Sequence, residues 1–135
     1  MSNGNIIILN GTSSSGKTSI VNALQNSLEE PFLEAGIDKS IWMLPERYLD
    51  QPLWDEVLGR AVKAEPVGNT MMSGMHQAIA ALSRAGNNVI ADHVLVEPQW
   101  LQECISLFSD LPAFLNVLPR QFFVRVTSSI QRNNI

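Results

Sequence analysis

Residues 6–28 read IIILNGTSSSGKTSIVNALQNSL, and the change of period inside this stretch decides the fold class. Ile6 to Leu9 is a continuous, mostly β-branched run bounded by Gly4 and by Asn10-Gly11. Such a run suits a strand buried on both faces of a parallel sheet. After Lys17 the spacing lengthens: Ile20, Leu24 and Leu28 recur every fourth residue with Val21 beside them, one apolar helix face that ends near Glu29-Glu30-Pro31. Between strand and helix lies Gly11-Thr12-Ser13-Ser14-Ser15-Gly16-Lys17-Thr18. Gly11 and Gly16 permit a tight path that turns successive backbone N–H groups inward, and the helix start adds the positive end of its dipole. This is the setting of a phosphate-binding loop. It predicts that residues Gly11 to Thr18 cradle ATP, with Lys17 reaching the β- and γ-phosphates and the Thr18 hydroxyl binding Mg2+.

Outward from this unit the alternation continues. Phe32 to Ile37 reads as a second strand with Asp38 at its C-terminal end, followed by a short helix through Trp42. From Pro45 to Asn69 three prolines and two glycines interrupt any period, so this is a long irregular excursion with one helical turn around Trp54 to Val62. Met72, Met75, Ile79 and Leu82 mark a helix face closed by Ala85-Gly86. Val89-Ile90-Ala91 reads as a strand ending in Asp92. Leu101, Cys104, Ile105 and Phe108 mark a further helix with Pro98 in its first turn, and Pro112 to Leu118 a fourth strand. Strands alternating with helices predict an α/β, three-layer P-loop NTPase fold with a mostly parallel sheet, one domain over residues 1–135. The segment 122–127, FFVRVT, has β composition and lies too close to Leu118 for a parallel crossover, so it can pair only as an antiparallel edge strand. An exposed edge and apolar surface there predict self-association, a homo-oligomer formed through the C-terminal end.

Two acids follow strands. Asp92 stands where an open parallel sheet presents its crevice, and either orients Mg2+ through water or caps the turn. Asp38 stands in a similar place, and either orients an acceptor alcohol and takes its proton or bonds the local backbone. His76 and His93 are not at metal-ligand spacing from each other or from Cys104, so the sequence suggests no zinc site. Met71, Met72 and Met75, and the aromatics Trp42, Tyr48 and Trp54, read first as core, second as an apolar substrate wall.

Charge excludes other classes. The formal net charge is −4, and no two of the nine Lys and Arg residues are adjacent. That offers neither nucleic acid nor an anionic membrane a dense positive field. The single cysteine, Cys104, precludes an intrachain disulfide and suits a reducing compartment, and the apolar run near the N-terminus is too short for a signal core or a membrane span. A cytoplasmic protein is expected.

Taken in order, IIILNGTSSSGKTSIVNALQ, PFLEAGIDKSIWMLP and NNVIADHVL resemble the chloramphenicol phosphotransferase-like family of P-loop kinases over Ile6 to about Leu115. The resemblance implies transfer of a phosphoryl group from ATP to a hydroxyl of a small molecule, with the antibiotic as namesake acceptor and antibiotic resistance as the role that goes with it. It assigns Lys17 and Thr18 to ATP and Mg2+, Asp38 to the catalytic base, and Asp92 to the first acid of a strand-end pair, with His93 where members often have a second acid. It also implies an arginine-rich lid helix and a further parallel strand after the fourth. Residues 116–135, with Arg120, Arg125 and Arg132 and no acid, form an atypical tail that does not read that way. An alternative expectation is therefore a nucleotide-binding protein with little turnover.

Overall fold

The computed structural model describes residues 2–11, 17–46, 66–93, 95, 98–117 and 124–126. Strands β1 (Ile6–Asn10), β2 (Phe32–Glu34), β3 (Asn88–His93), β4 (Ala113–Val117) and β5 (Val124–Val126) form one sheet in the order β2-β3-β1-β4-β5. The first four are parallel, with Ile6 opposite both Val89 and Ala113 and Asn10 opposite both His93 and Val117. β5 runs antiparallel to β4, Leu115 facing Val126. The described helices are α1 (Lys17–Ser27), α2 (Ile37–Ile41), α3 (Pro66–Arg84) and α4 (Pro98–Leu107).

The period of two along each strand divides the core into two layers. Ile6 and Ile8 of β1, Val89 and Ala91 of β3 and Ala113 and Leu115 of β4 share a cluster with Met72, Met75 and Ile79 of α3 and Trp100, Cys104 and Phe108. Leu9 and Ile90 face the other way, onto Val21 of α1, with Ile7, Ile20, Leu24 and Phe32 around them. Helices thus cover both faces of the parallel strands, which is why β1 is apolar at nearly every position. Gln25 ties α1 to the next strand, its Nε2 donating to the Phe32 carbonyl at 2.8 Å.

Helix ends follow local chemistry. Pro66 and Pro98 each occupy the first position of a helix, where the missing N–H costs nothing. α3 therefore begins inside the stretch read from sequence as irregular. It stops in a Schellman turn: the N–H of Asn87 bonds the Leu82 carbonyl, and that of Gly86, at φ 98°, bonds the Ser83 carbonyl, both at 2.9 Å. The methionines resolve as core, with Met72 and Met75 buried and Met71 packed against them. Trp42 does not: it is exposed, at the turn closing α2. The expected turn at Trp54 to Val62, Tyr48, Trp54 and most of the tail from Leu118 onward lie outside the described residues. No described helix is long and apolar enough to cross a membrane.

Candidate active site

β1 and β3 lie side by side, but the chain leaves β1 into α1 on one face of the sheet and leaves β3 towards α4 on the other. Diverging connections open a crevice beyond the carboxyl ends of the two strands, the place where open α/β sheets bind ligands. Backbone and side chains converge on it. The carbonyl of His93 accepts from the Gly11 N–H at 3.2 Å and from Lys17 Nζ at 2.9 Å, so the first residue of α1 is held against the end of β3. Asn10 fixes the opposite rim, its Oδ1 accepting the Leu95 N–H at 2.7 Å. Lys17 is buried and Thr18 is exposed in the first turn of α1. Thr12, Ser13, Ser14, Ser15 and Gly16 lie outside the described residues.

Asp92 is buried and lies within β3 rather than after it, opposite Leu9. It shares the strand face of Ile90, so it points away from the α3 layer. β2 is also shorter than its composition suggests, and Asp38 is the second residue of α2 instead of the end of a strand. Gly36 stands at the change from strand to helix, where β3 approaches so closely that only a residue without a Cβ fits. The ladder makes its last rung at Ala35 N–H to Ile90 carbonyl, 3.0 Å, and at Gly36 the Asp92 carboxylate occupies the space a Cβ would fill. The chain turns there, buries Ile37 in the core and starts α2, which packs on β3. Gly36→Ala should therefore displace Asp92 or α2 and destabilise the fold by about 1–3 kcal/mol, the usual cost of overpacking, seen as a lower denaturant midpoint. The added methyl would meet the Asp92 backbone nitrogen as well as its carboxylate, so an unchanged midpoint would refute this close approach of Gly36 to β3.

His76, His93 and Cys104, far apart along the sequence, meet in the fold. Their candidate ligand atoms all lie within 4.8 Å of one another, and all three residues are buried. His93 shares the face of Val89 and Ala91, opposite to Asp92, and so meets the helices. His76 follows Met72 by four and Cys104 follows Trp100 by four, both on the apolar faces of α3 and α4. Strand parity and helix phase carry the signal for this meeting, and spacing along the chain does not. Polar groups so deep must be bonded. His76 Nε2 lies 2.7 Å from His93 Nε2, and His76 Nδ1 bonds Glu103 Oε1. Ser73 Oγ donates to Glu103 Oε2 at 3.0 Å. A carboxylate only accepts, so His76 Nδ1 carries the proton it donates, and in neutral His76 the Nε2 lone pair faces His93. Burial, with the neighbouring Glu103 charge adding to it, pushes the Cys104 thiol up to about 12. Native protein at neutral pH should accordingly resist alkylation by iodoacetamide at least about a hundredfold relative to the denatured chain, read by mass spectrometry.

Residues 4–118 match the family described as chloramphenicol phosphotransferase-like protein. This chain belongs to that family. Two relatives from different strains of Mycobacterium tuberculosis, both provisionally named O-phosphotransferases, are 34% identical to it over an alignment covering 80% of this chain and 54% of theirs. The chain thus spans about half the length of the curated relatives it matches. Two solved structures share the fold: a chain of the Pnkp1/Rnl/Hen1 complex, with TM-score 0.61, 17% identity and coverage of 88% of this chain and 36% of that one, and a chain of the Pnkp1/Rnl/Hen1 RNA repair complex, with TM-score 0.58, 15% identity and coverage of 87% and 34%. In this member of the chloramphenicol phosphotransferase-like family, Gly11 and Lys17 meet at the His93 carbonyl, one residue beyond Asp92. Asp38 lies in α2, two residues after the Gly36 that abuts Asp92.

Proposed function

We propose that this chain moves the γ-phosphoryl group of ATP to a hydroxyl of a small molecule, with chloramphenicol as the first acceptor to try. The observation that carries this reading is the seating of Lys17 at the carboxyl end of β3, one residue beyond Asp92, directly after the sequence GTSSSG. An ammonium there can bind phosphate oxygens by charge-assisted bonds while backbone N–H groups of residues 11–16 supply the rest of the cradle. Family membership and the names of the relatives support the reaction class.

Thr18 and Asp92 are oxygen donors of the kind magnesium prefers and would hold it directly or through water; the ion supplies neutralisation of charge on the β- and γ-phosphates. The chain's own task is positioning. Asp38 takes the proton of the acceptor hydroxyl as its oxygen bonds the γ-phosphorus, while the bond from that phosphorus to the β,γ-bridging oxygen breaks and ADP leaves. Lys17 stabilises the charge that builds on the transferring group and the leaving oxygens. Labelled ATP incubated with a panel of alcohols, sugars, nucleosides and chloramphenicol tests this. Transfer to at least one acceptor, dependent on Mg2+, is expected. Tight ATP binding with no transfer to any of them would leave a nucleotide-binding protein without turnover.

A further inference from the structure

We infer that His76, His93 and Cys104 form a site for one divalent cation of the zinc type, built between β3, α3 and α4 on the sheet face away from Asp92. Imidazole and thiolate are both ligands that zinc takes, and the three residues come from three separate elements with their ligand atoms gathered in the core. Tetrahedral zinc, with bonds of about 2.0–2.1 Å to nitrogen and about 2.3 Å to sulfur, sets two nitrogens and a sulfur about 3.3–3.6 Å apart. The present arrangement brackets that spacing. The two imidazole Nε2 atoms, 2.7 Å apart, must open, and the widest separations, up to 4.8 Å, must close.

Two further features fit a cation. Glu103 accepts from His76 Nδ1, which fixes the tautomer that presents Nε2 as a lone pair, the carboxylate–histidine support that zinc ligands characteristically carry. Ser73 in turn orients the other Glu103 oxygen. Charge also closes: a dication, the Cys104 thiolate and the Glu103 carboxylate sum to zero, whereas an isolated charge in this core would be costly. On binding, the Cys104 proton is released to solvent, the His93 proton moves from Nε2 to Nδ1, and both Nε2 lone pairs face the metal. Three protein ligands leave the fourth position to water. Such a site would clamp both helices to the strand whose end holds Lys17, independently of whether phosphoryl transfer occurs.

Cobalt substitution of the tag-free full chain tests the inference, because Cys104 is the only cysteine in the chain. One equivalent of Co2+ should produce an intense near-ultraviolet thiolate-to-cobalt band and the visible bands of a tetrahedral ion, and one equivalent of Zn2+ should abolish them. Cobalt held at Thr18 and Asp92, which are oxygen donors, gives no thiolate band. Cys104→Ala should eliminate the band and weaken zinc binding at least about a hundredfold, and Glu103→Gln should weaken it about 10- to 100-fold. Zinc should raise the melting temperature of the natural chain but not of Cys104→Ala. Absence of the thiolate band in the natural protein, or zinc affinity unchanged in Cys104→Ala, would overturn the site; if that variant does not fold, the spectrum of the natural chain decides alone.

Discussion

Lys17→Ala is expected to weaken ATP binding about 10- to 100-fold while leaving the fold largely intact. The loss follows from removing charge-assisted hydrogen bonds to phosphate, worth about 1.5–3 kcal/mol. One structural partner of Lys17 is shared: the His93 carbonyl keeps the Gly11 N–H at 3.2 Å when the Nζ donor at 2.9 Å is gone. Deleting a buried ammonium also removes a group whose desolvation opposes folding. Calorimetric titration gives the affinity and a thermal melt gives the stability. ATP affinity equal to that of the natural chain would remove Lys17, and with it the phosphate-cradle reading of Gly11 to Thr18.

Asp38→Asn should lower the rate of transfer about 10²–10⁴-fold, the usual contribution of a positioned general base, with ATP affinity unchanged. The amide preserves the size of the side chain and loses the basic oxygen. Asp38 sits in α2, whose start is set by the contact of Gly36 with Asp92 and by burial of Ile37, so an isosteric change there should not move the helix. The pair of measurements separates roles: a fall in transfer with constant ATP affinity places Asp38 on the acceptor, whereas a parallel fall in both assigns it to the nucleotide. Full transfer by the variant would exclude it from the mechanism.

Much of this protein was legible in one dimension. The continuous apolar run of β1 required cover on both faces, and the four-residue recurrence after Lys17 supplied the helix for one of them. Together they determined a parallel α/β sheet with a glycine-rich turn at its carboxyl edge. Period and punctuation are local properties, written over a few residues, and they survive into the folded chain unless packing opposes them. Packing opposed them at β2. Its composition allows a strand through Ile37, but the ladder ends at the Ala35 N–H, Gly36 passes too close to Asp92 for any side chain, and Ile37 buries in the core as the first residue of α2. The grouping of His76, His93 and Cys104 was likewise a tertiary decision. Each residue's face follows from strand parity or helix phase, yet their meeting depends on where α3 and α4 land along β3, which is set by how side chains such as Met72, Ile79, Trp100 and Phe108 interlock with the sheet. Periodicity says which way a side chain points; only the packing of whole elements against one another decides what it meets.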